Sequence, residues 1–292
     1  MLSAKKAPIL GINNRIPHRQ LGLTKQEVTI LGLGGEGVLR SHGKNSEALR
    51  VISTALDLGI TYFDTAPAYD SSMDYYGAAL GERRDRIFLA SKTHERTRER
   101  SLRLLDESLE RLRTDHIDLW QLHDLRTMDE VNKIFSKGGA LEAFIQARAD
   151  GRVRFLGLTG HHDPAVLLEA IRRFDFDTVL MALNAADVHR LSFIRTVLPE
   201  AQRQGIGIIG MKVCAQGKLL GRGKLNMEDA LGYVLSLEGV NTVIVGCRTP
   251  AEVEHNVRCV QQFTRFDDHK MHALEERAKG HAAVYNYYKK GS

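Results

Sequence analysis

The chain has 292 residues, 43% hydrophobic and 26% charged, proportions that exclude a disordered or fibrous polymer and allow one barrel-sized domain or two smaller ones. Its net charge of +5 is spread too thinly for a nucleic-acid partner, since the densest charged run, ERRDRIFLASKTHERTRER, mixes both signs as a solvated surface does. Cys214, Cys247 and Cys259 form no C-x-x-C pair, which excludes a disulfide framework or cluster motif and points to a reducing, cytoplasmic setting, and no apolar run approaches the length of a membrane span.

The first acidic residue is Glu27, so MLSAKKAPILGINNRIPHRQ is a basic lead; it lacks the apolar centre of a secretory signal and is expected to be a flexible segment over residues 1–18. Residues 19–292 then read as a single domain. Short runs rich in Val, Ile and Leu alternate with longer amphipathic segments, the pattern of a parallel sheet with crossover helices. The predicted strands are VTILGLG (28–34), ITYFD (60–64), RIFLAS (86–91), HIDLWQL (116–122), VRFLGLT (153–159), TVLMA (178–182), IGIIGM (206–211) and TVIVG (242–246). The clearest helix carries Leu102, Leu105, Leu109 and Leu112 on one stripe, which reads as core. Asp163-Pro164 predicts N-cap and N1 of a helix, and Thr249-Pro250-Ala251-Glu252 predicts a capping box.

Eight strand–helix units without an intervening linker predict an α/β chain folded as a (β/α)8 TIM barrel with a helical C-terminal tail. The alternative, a doubly wound sheet, needs G-x-G-x-x-G after the first strand; GLGGEGVL places glycines at 32, 34, 35 and 37, with Arg40 where a further glycine would stand.

In such a barrel the reactive groups project from the C-terminal ends of the strands. Asp64 closes the second strand and Tyr69 follows in its loop; Lys92 closes the third and His123 the fourth. Each taken singly reads as an ordinary turn or scaffold residue. Together they place an acid, a phenol, an amine and an imidazole on one rim.

The segments FDTAPAYD, ASKT and LWQLHD, in that order and spacing, resemble the catalytic signatures of the aldo/keto reductase superfamily, and the likeness runs from RQLG at residue 19 to HNV ending at 257. RQLG and TILGLGG resemble its N-terminal hairpin and first strand. The resemblance implies reduction of small aldehydes or ketones by hydride transfer, with Tyr69 as proton donor, Lys92 and Asp64 as its tuning pair, and His123 orienting the carbonyl. The chemistry is consistent with those roles: charge that builds on a carbonyl oxygen needs an acid within reach, and the hydride must come from a cofactor. A free phenol ionises near pH 10, so Lys92 is expected to draw that value down while Asp64 holds the ammonium charged. Neutral His123 would donate to the oxyanion.

The segment VIVGCRTPAEVEHNV resembles the closing cofactor segment of that superfamily, which implies contacts from Gly246, Arg248, Glu252 and Asn256 to the adenosine end. A helix N-terminus seats a phosphate, and Arg248 would favour the 2′-phosphate of NADP(H) over NAD(H), tempered by Glu252. GMKVCAQGKL resembles the loop over the pyrophosphate, with charge from Lys212 and a backbone contact from Cys214, and Thr159 stands where relatives hold the nicotinamide amide. The chain departs from the superfamily at Gly160, Leu180 and Met211, which replace an asparagine, a glutamine and a stacking aromatic. Adjacent His161 and His162 cannot readily face one ion, and Asp163 reads as a cap, so no metal is expected. Two other readings stay open, a nicotinamide-sensing barrel with little turnover and an aldolase-type barrel with Lys92 as Schiff-base nucleophile. The tail HAAVYNYYKK could pack beneath the barrel or line its mouth.

Overall fold

A computed structural model of the protein describes residues 15–291, so most of the expected 1–18 lead lies outside the described residues. A hairpin opens the described chain: β1 (His18–Gln20) pairs antiparallel with β2 (Glu27–Thr29). Eight parallel strands follow and close on themselves: β3 (Leu31–Gly37), β4 (Tyr62–Asp64), β5 (Phe88–Thr93), β6 (Ile117–Leu122), β7 (Val153–Gly160), β8 (Thr178–Ala182), β9 (Gly207–Met211) and β10 (Val240–Cys247), with β10 beside β3.

Every predicted strand is present. The ends of most shift by one or two residues, and one run is split: the stretch 28–34 breaks at Ile30, because residues 27–29 turn away to pair with β1 while the ladder with β10 begins at Leu31. The hairpin closes the floor of the barrel. Leu21 and Val28 pack into the interior with Tyr62, Phe88, Leu119, Leu180 and Ile209, whereas Leu33, Phe63, Leu122 and their neighbours face the helices. This inside–outside alternation follows from the two-residue period of a strand, and closure leaves the barrel sheet no free edge.

The outer layer comprises α1 (Asn45–Asp57), α2 (Ser72–Ala79), α3 (Arg98–Leu112), α4 (Met128–Phe135), α5 (Ala140–Ala149), α6 (Pro164–Arg173), α7 (Val197–Gln204), α8 (Met227–Ser236) and α9 (Pro250–Gln261). The leucine stripe is on α3, where Leu105 and Leu112 are fully buried and Leu102 and Leu109 half-buried against the same core. Asp163 caps α6, its carboxylate accepting from the Ala165 amide at 3.0 Å. Thr249 caps α9, but the reciprocal arm of the predicted capping box goes elsewhere: Glu252 accepts from the Arg248 amide at 2.7 Å, one residue before the cap. No helix among the described residues is long and apolar enough to cross a membrane.

The tail, α10 (Asp268–Lys279), α11 (Ala282–Tyr285) and residues 286–291, settles on the mouth side. Lys289 is fully buried against Asp187, Asn286 donates to the Ala186 carbonyl, and the Lys290 amide donates to the His162 carbonyl. The mouth alternative for the tyrosines therefore holds over the floor. Tyr288 accepts from Asn184 and packs edge-on against His161, and Tyr287 donates to Gln216.

Candidate active site

The C-terminal ends of β4, β5 and β6 meet on one arc of the rim. Asp64 is fully buried, Lys92 is 1% exposed, and the ammonium donates both to Asp64 Oδ1 and to the Thr65 carbonyl at 2.8 Å. Gln121 donates to the other carboxylate oxygen at 3.3 Å. Burial pushes the Asp64 carboxyl up and the Lys92 amine down, and their mutual attraction opposes both shifts.

Tyr69 reaches this pair from the β4–α2 loop. Its ring rests against β3 because Gly35 has no side chain: a Cβ there would meet Tyr69 Cδ2 and the Asp64 carbonyl at 2.8 Å. Gly35 of GLGGEG thus serves close packing around the phenol. The Tyr69 hydroxyl lies 3.5 Å from His123 Nε2, and the Lys92 ammonium sits 4.8 Å from the centre of its ring. Burial holds His123 well below the usual imidazole range, helped by Lys92 and other nearby cations, so the ring is neutral at physiological pH.

One expectation is corrected. The Tyr69 phenol is pushed well above its ordinary value, by burial first and then by the Asp64 and Glu36 carboxylates, with Arg40 pulling the other way. The charge of Lys92 is matched by Asp64 and does not overcome burial here.

A cavity of ≈ 1490 Å³ opens above these groups. Its walls include Asp64, Tyr69, Lys92 and His123 together with Thr159, Lys212, Cys214, Gly246, Arg248, Glu252 and Asn256, so the residues expected to serve catalysis and cofactor binding line one space. Thr159 is buried and its hydroxyl accepts from the Asp124 amide at 2.8 Å; Asn256 donates to Cys247 Sγ at 3.4 Å. Gly160 has a steric reason, since a Cβ would press on Leu167 and on the Leu125 carbonyl at 3.0 and 3.1 Å. The Lys212 and Arg248 side chains pair with no carboxylate among the described residues, and each lines this cavity. A large groove with two cations that lack a carboxylate partner among the described residues, and with the capped N-terminus of α9, fits a dinucleotide carrying phosphates.

Sequence reading missed the charged ring around the mouth. Arg96 is held by Glu130 and by the His123 carbonyl, Asp124 by Arg126 and by His161 at 3.2 Å, and Arg40 lies over the Tyr69 ring. Asp124, Lys212, Ala215 and Gln216 all adopt left-handed φ near +50°, a cluster of backbone strain of the sort that marks working loops. Only the position of these residues just past strand ends could have signalled them. Lys92, buried and held by two acceptors, is poorly placed to attack a carbonyl, which weakens the Schiff-base reading.

The aldo/keto reductase family profile matches residues 30–230. The chain is 26% identical to the L-galactose dehydrogenase of Arabidopsis thaliana, over 85% of this chain and 89% of that protein. It is 24% identical to the uncharacterized oxidoreductase YqkF of Bacillus subtilis, over 89% and 96% respectively. The holo-form aldo-keto reductase AKR11C1 of Bacillus halodurans superposes with a TM-score of 0.78 at 27% identity, covering 94% of this chain and 99% of that one. With the fold, the rim and the profile in agreement, the chain belongs to the aldo/keto reductase family and is an oxidoreductase.

Proposed function

We propose that the protein is an NADPH-dependent reductase of small aldehydes or ketones, with Tyr69 as proton donor. The observation that carries this reading is the convergence of Tyr69 and His123, 3.5 Å apart, over the buried Lys92–Asp64 pair in one cavity. A nicotinamide cofactor, when bound, supplies the hydride. A carbonyl oxygen between the Tyr69 hydroxyl and the His123 ring would accept hydrogen bonds from both, and the charge building on it would be stabilised in a buried setting. Tyr69 then gives its proton to that oxygen. A raised phenol still serves, because an alkoxide is a far stronger base than a phenolate, and the raised value keeps the proton in place until it is needed. Lys92 under the ring would stabilise the phenolate left behind, and Asp64 keeps that cation in position.

Lys212 and the backbone of Cys214 would face the pyrophosphate; Arg248, Glu252, Gly246 and Asn256 the adenosine end; Thr159 the amide of the nicotinamide. Arg248 supports NADPH over NADH, because a guanidinium with no carboxylate partner among the described residues suits a 2′-phosphate. The protein would act in the cytoplasm on a small-molecule carbonyl.

The test is NADPH oxidation by the purified protein with a panel of aldehydes and ketones, beside Tyr69→Phe. The variant should bind NADPH as the parent does and lose turnover about 10²- to 10⁴-fold. Tight cofactor binding by the parent with negligible turnover on every carbonyl would favour the sensing barrel instead.

A further inference from the structure

Gln121 lies on β6 with its side chain in the barrel, fully buried and two residues before His123. In the ladder it stands opposite Lys92 on one side and Gly157 on the other. Gly157 makes room for it: a Cβ at that position would come within 3.1 Å of Gln121 Cγ and 2.4 Å of Thr178 Oγ1. The amide therefore fills a gap left by a glycine directly beneath the reactive rim.

Its two ends are treated differently. Nε2 donates to Asp64 Oδ2 at 3.3 Å, and no other donor among the described residues reaches that oxygen, while Lys92 takes Oδ1. The carbonyl Oε1 is buried and has no partner among the described residues. Turning the amide over would bring Oε1 against the carboxylate, so Asp64 fixes its orientation and the orphan carbonyl is the consequence. An orphan buried carbonyl costs free energy, and an apolar side chain of similar length would avoid it. The amide thus opposes stability at Oε1 and acts through its NH2 alone.

We propose that Gln121 is a positioning residue of the catalytic rim: it keeps Asp64 ionised and directs Oδ1 to Lys92, and so holds the ammonium charged beneath Tyr69. This rests on the reductase reading for its consequence in turnover. Groups facing Asp64 from the packed elements are Lys92 of β5, Tyr62 of β4, Tyr69 of the following loop, Tyr76 of α2 and Glu36 of β3. Lys92 is the cation among them, so losing the Gln121 donor leaves half of a buried carboxylate unsolvated. Its proton affinity then rises, and as pH falls the carboxylate is lost earlier.

The experiment compares the parent with Gln121→Met and the isosteric Gln121→Glu, with Thr178→Val as a control in the same layer. Asp64 is followed by carboxyl carbon-13 NMR, assigned with Asp64→Asn. In Gln121→Met the Asp64 midpoint should rise by about one pH unit, a roughly tenfold change in ionisation. The turnover number should fall about tenfold with its acid limb shifted to higher pH, while the NADPH dissociation constant stays within about twofold. Gln121→Glu, which preserves volume, should also raise the upper midpoint of the resulting acid pair. Thr178→Val should move neither. An unmoved Asp64 midpoint in both Gln121 variants would overturn the proposal, as would a lost turnover with an unshifted acid limb, the mark of a packing role. Should the parent fail to oxidise NADPH with any carbonyl of the panel, the reductase reading falls while the Asp64 midpoint still decides the role of Gln121.

Discussion

The Lys92 ammonium lies beneath the face of the Tyr69 ring, 4.8 Å from its centre, with its other contacts taken by Asp64 and the Thr65 carbonyl. The cation is therefore placed to stabilise a phenolate once it forms without ionising the phenol beforehand. Because burial raises the phenol well above its ordinary value, the proposed donor would keep its proton at all pH below that value and lose it only as pH rises through it. Carbonyl reduction should show no alkaline loss attributable to Tyr69 below about pH 10. A pH profile of turnover checks this, and a Tyr69-dependent limb near neutrality would refute it.

Lys92→Met should strand a buried carboxylate. The expected loss of stability is about 3–5 kcal/mol, the cost of breaking a buried pair from one side. Adding Asp64→Asn to that variant should restore much of the stability and none of the turnover. Denaturant unfolding of the two single variants and the double gives the coupling directly.

Arg248→Ala should weaken NADPH binding by about tenfold or more and leave NADH within a factor of about two, since one charge-assisted contact to a phosphate is worth about 1.5–3 kcal/mol. Fluorescence titration with both cofactors would show it, and equal losses for both would remove the 2′-phosphate assignment.

His161 sits between Asp124 and Tyr288, and its imidazole is driven down to about 4, chiefly by burial, with Asp124 opposing and Lys212 and Arg126 assisting. The unfolded chain takes up this proton first, near pH 6.5, so stability is full above that value, falls as pH drops towards about 4, and levels off below it. The difference from 6.5 to about 4 corresponds to roughly 3 kcal/mol at most. His161→Gln should flatten this part of the stability curve, measured by urea unfolding at several pH values.

Lys289 and Asp187 are both fully buried, and the carboxylate also accepts from the Ser192 hydroxyl and from the Phe193 and Ile194 amides. Lys289→Met should lower stability by about 3 kcal/mol and loosen the tail from the mouth. NADPH binding should weaken as well, because the same tail holds Gln216 through Tyr287 and packs Tyr288 against Lys212. Unchanged melting and unchanged affinity together would show that the tail is not anchored there.

Much of this molecule could be read without coordinates. Strand positions, the leucine stripe of α3, the Asp163 cap and the four rim residues follow from local periodicity and from the rule that strand ends carry chemistry. Gln121, by contrast, is one more polar side chain in a strand, and only its contact with Asp64 sets it apart. The break at Ile30 was hidden because an apolar run reads the same whether it serves a hairpin or a barrel.

Hydrophobic spacing and turn chemistry are encoded between near neighbours, so the chain alone determined the barrel and brought Asp64, Tyr69, Lys92 and His123 to one rim. The electrostatic state of that rim depends on distances between residues far apart in the chain. Folding alone decided that Lys92 lies under a ring face, that the phenol is raised rather than lowered, and that the tyrosine-rich tail crosses the mouth. Burial and pairwise charge are properties of three-dimensional neighbours, which no linear spacing records.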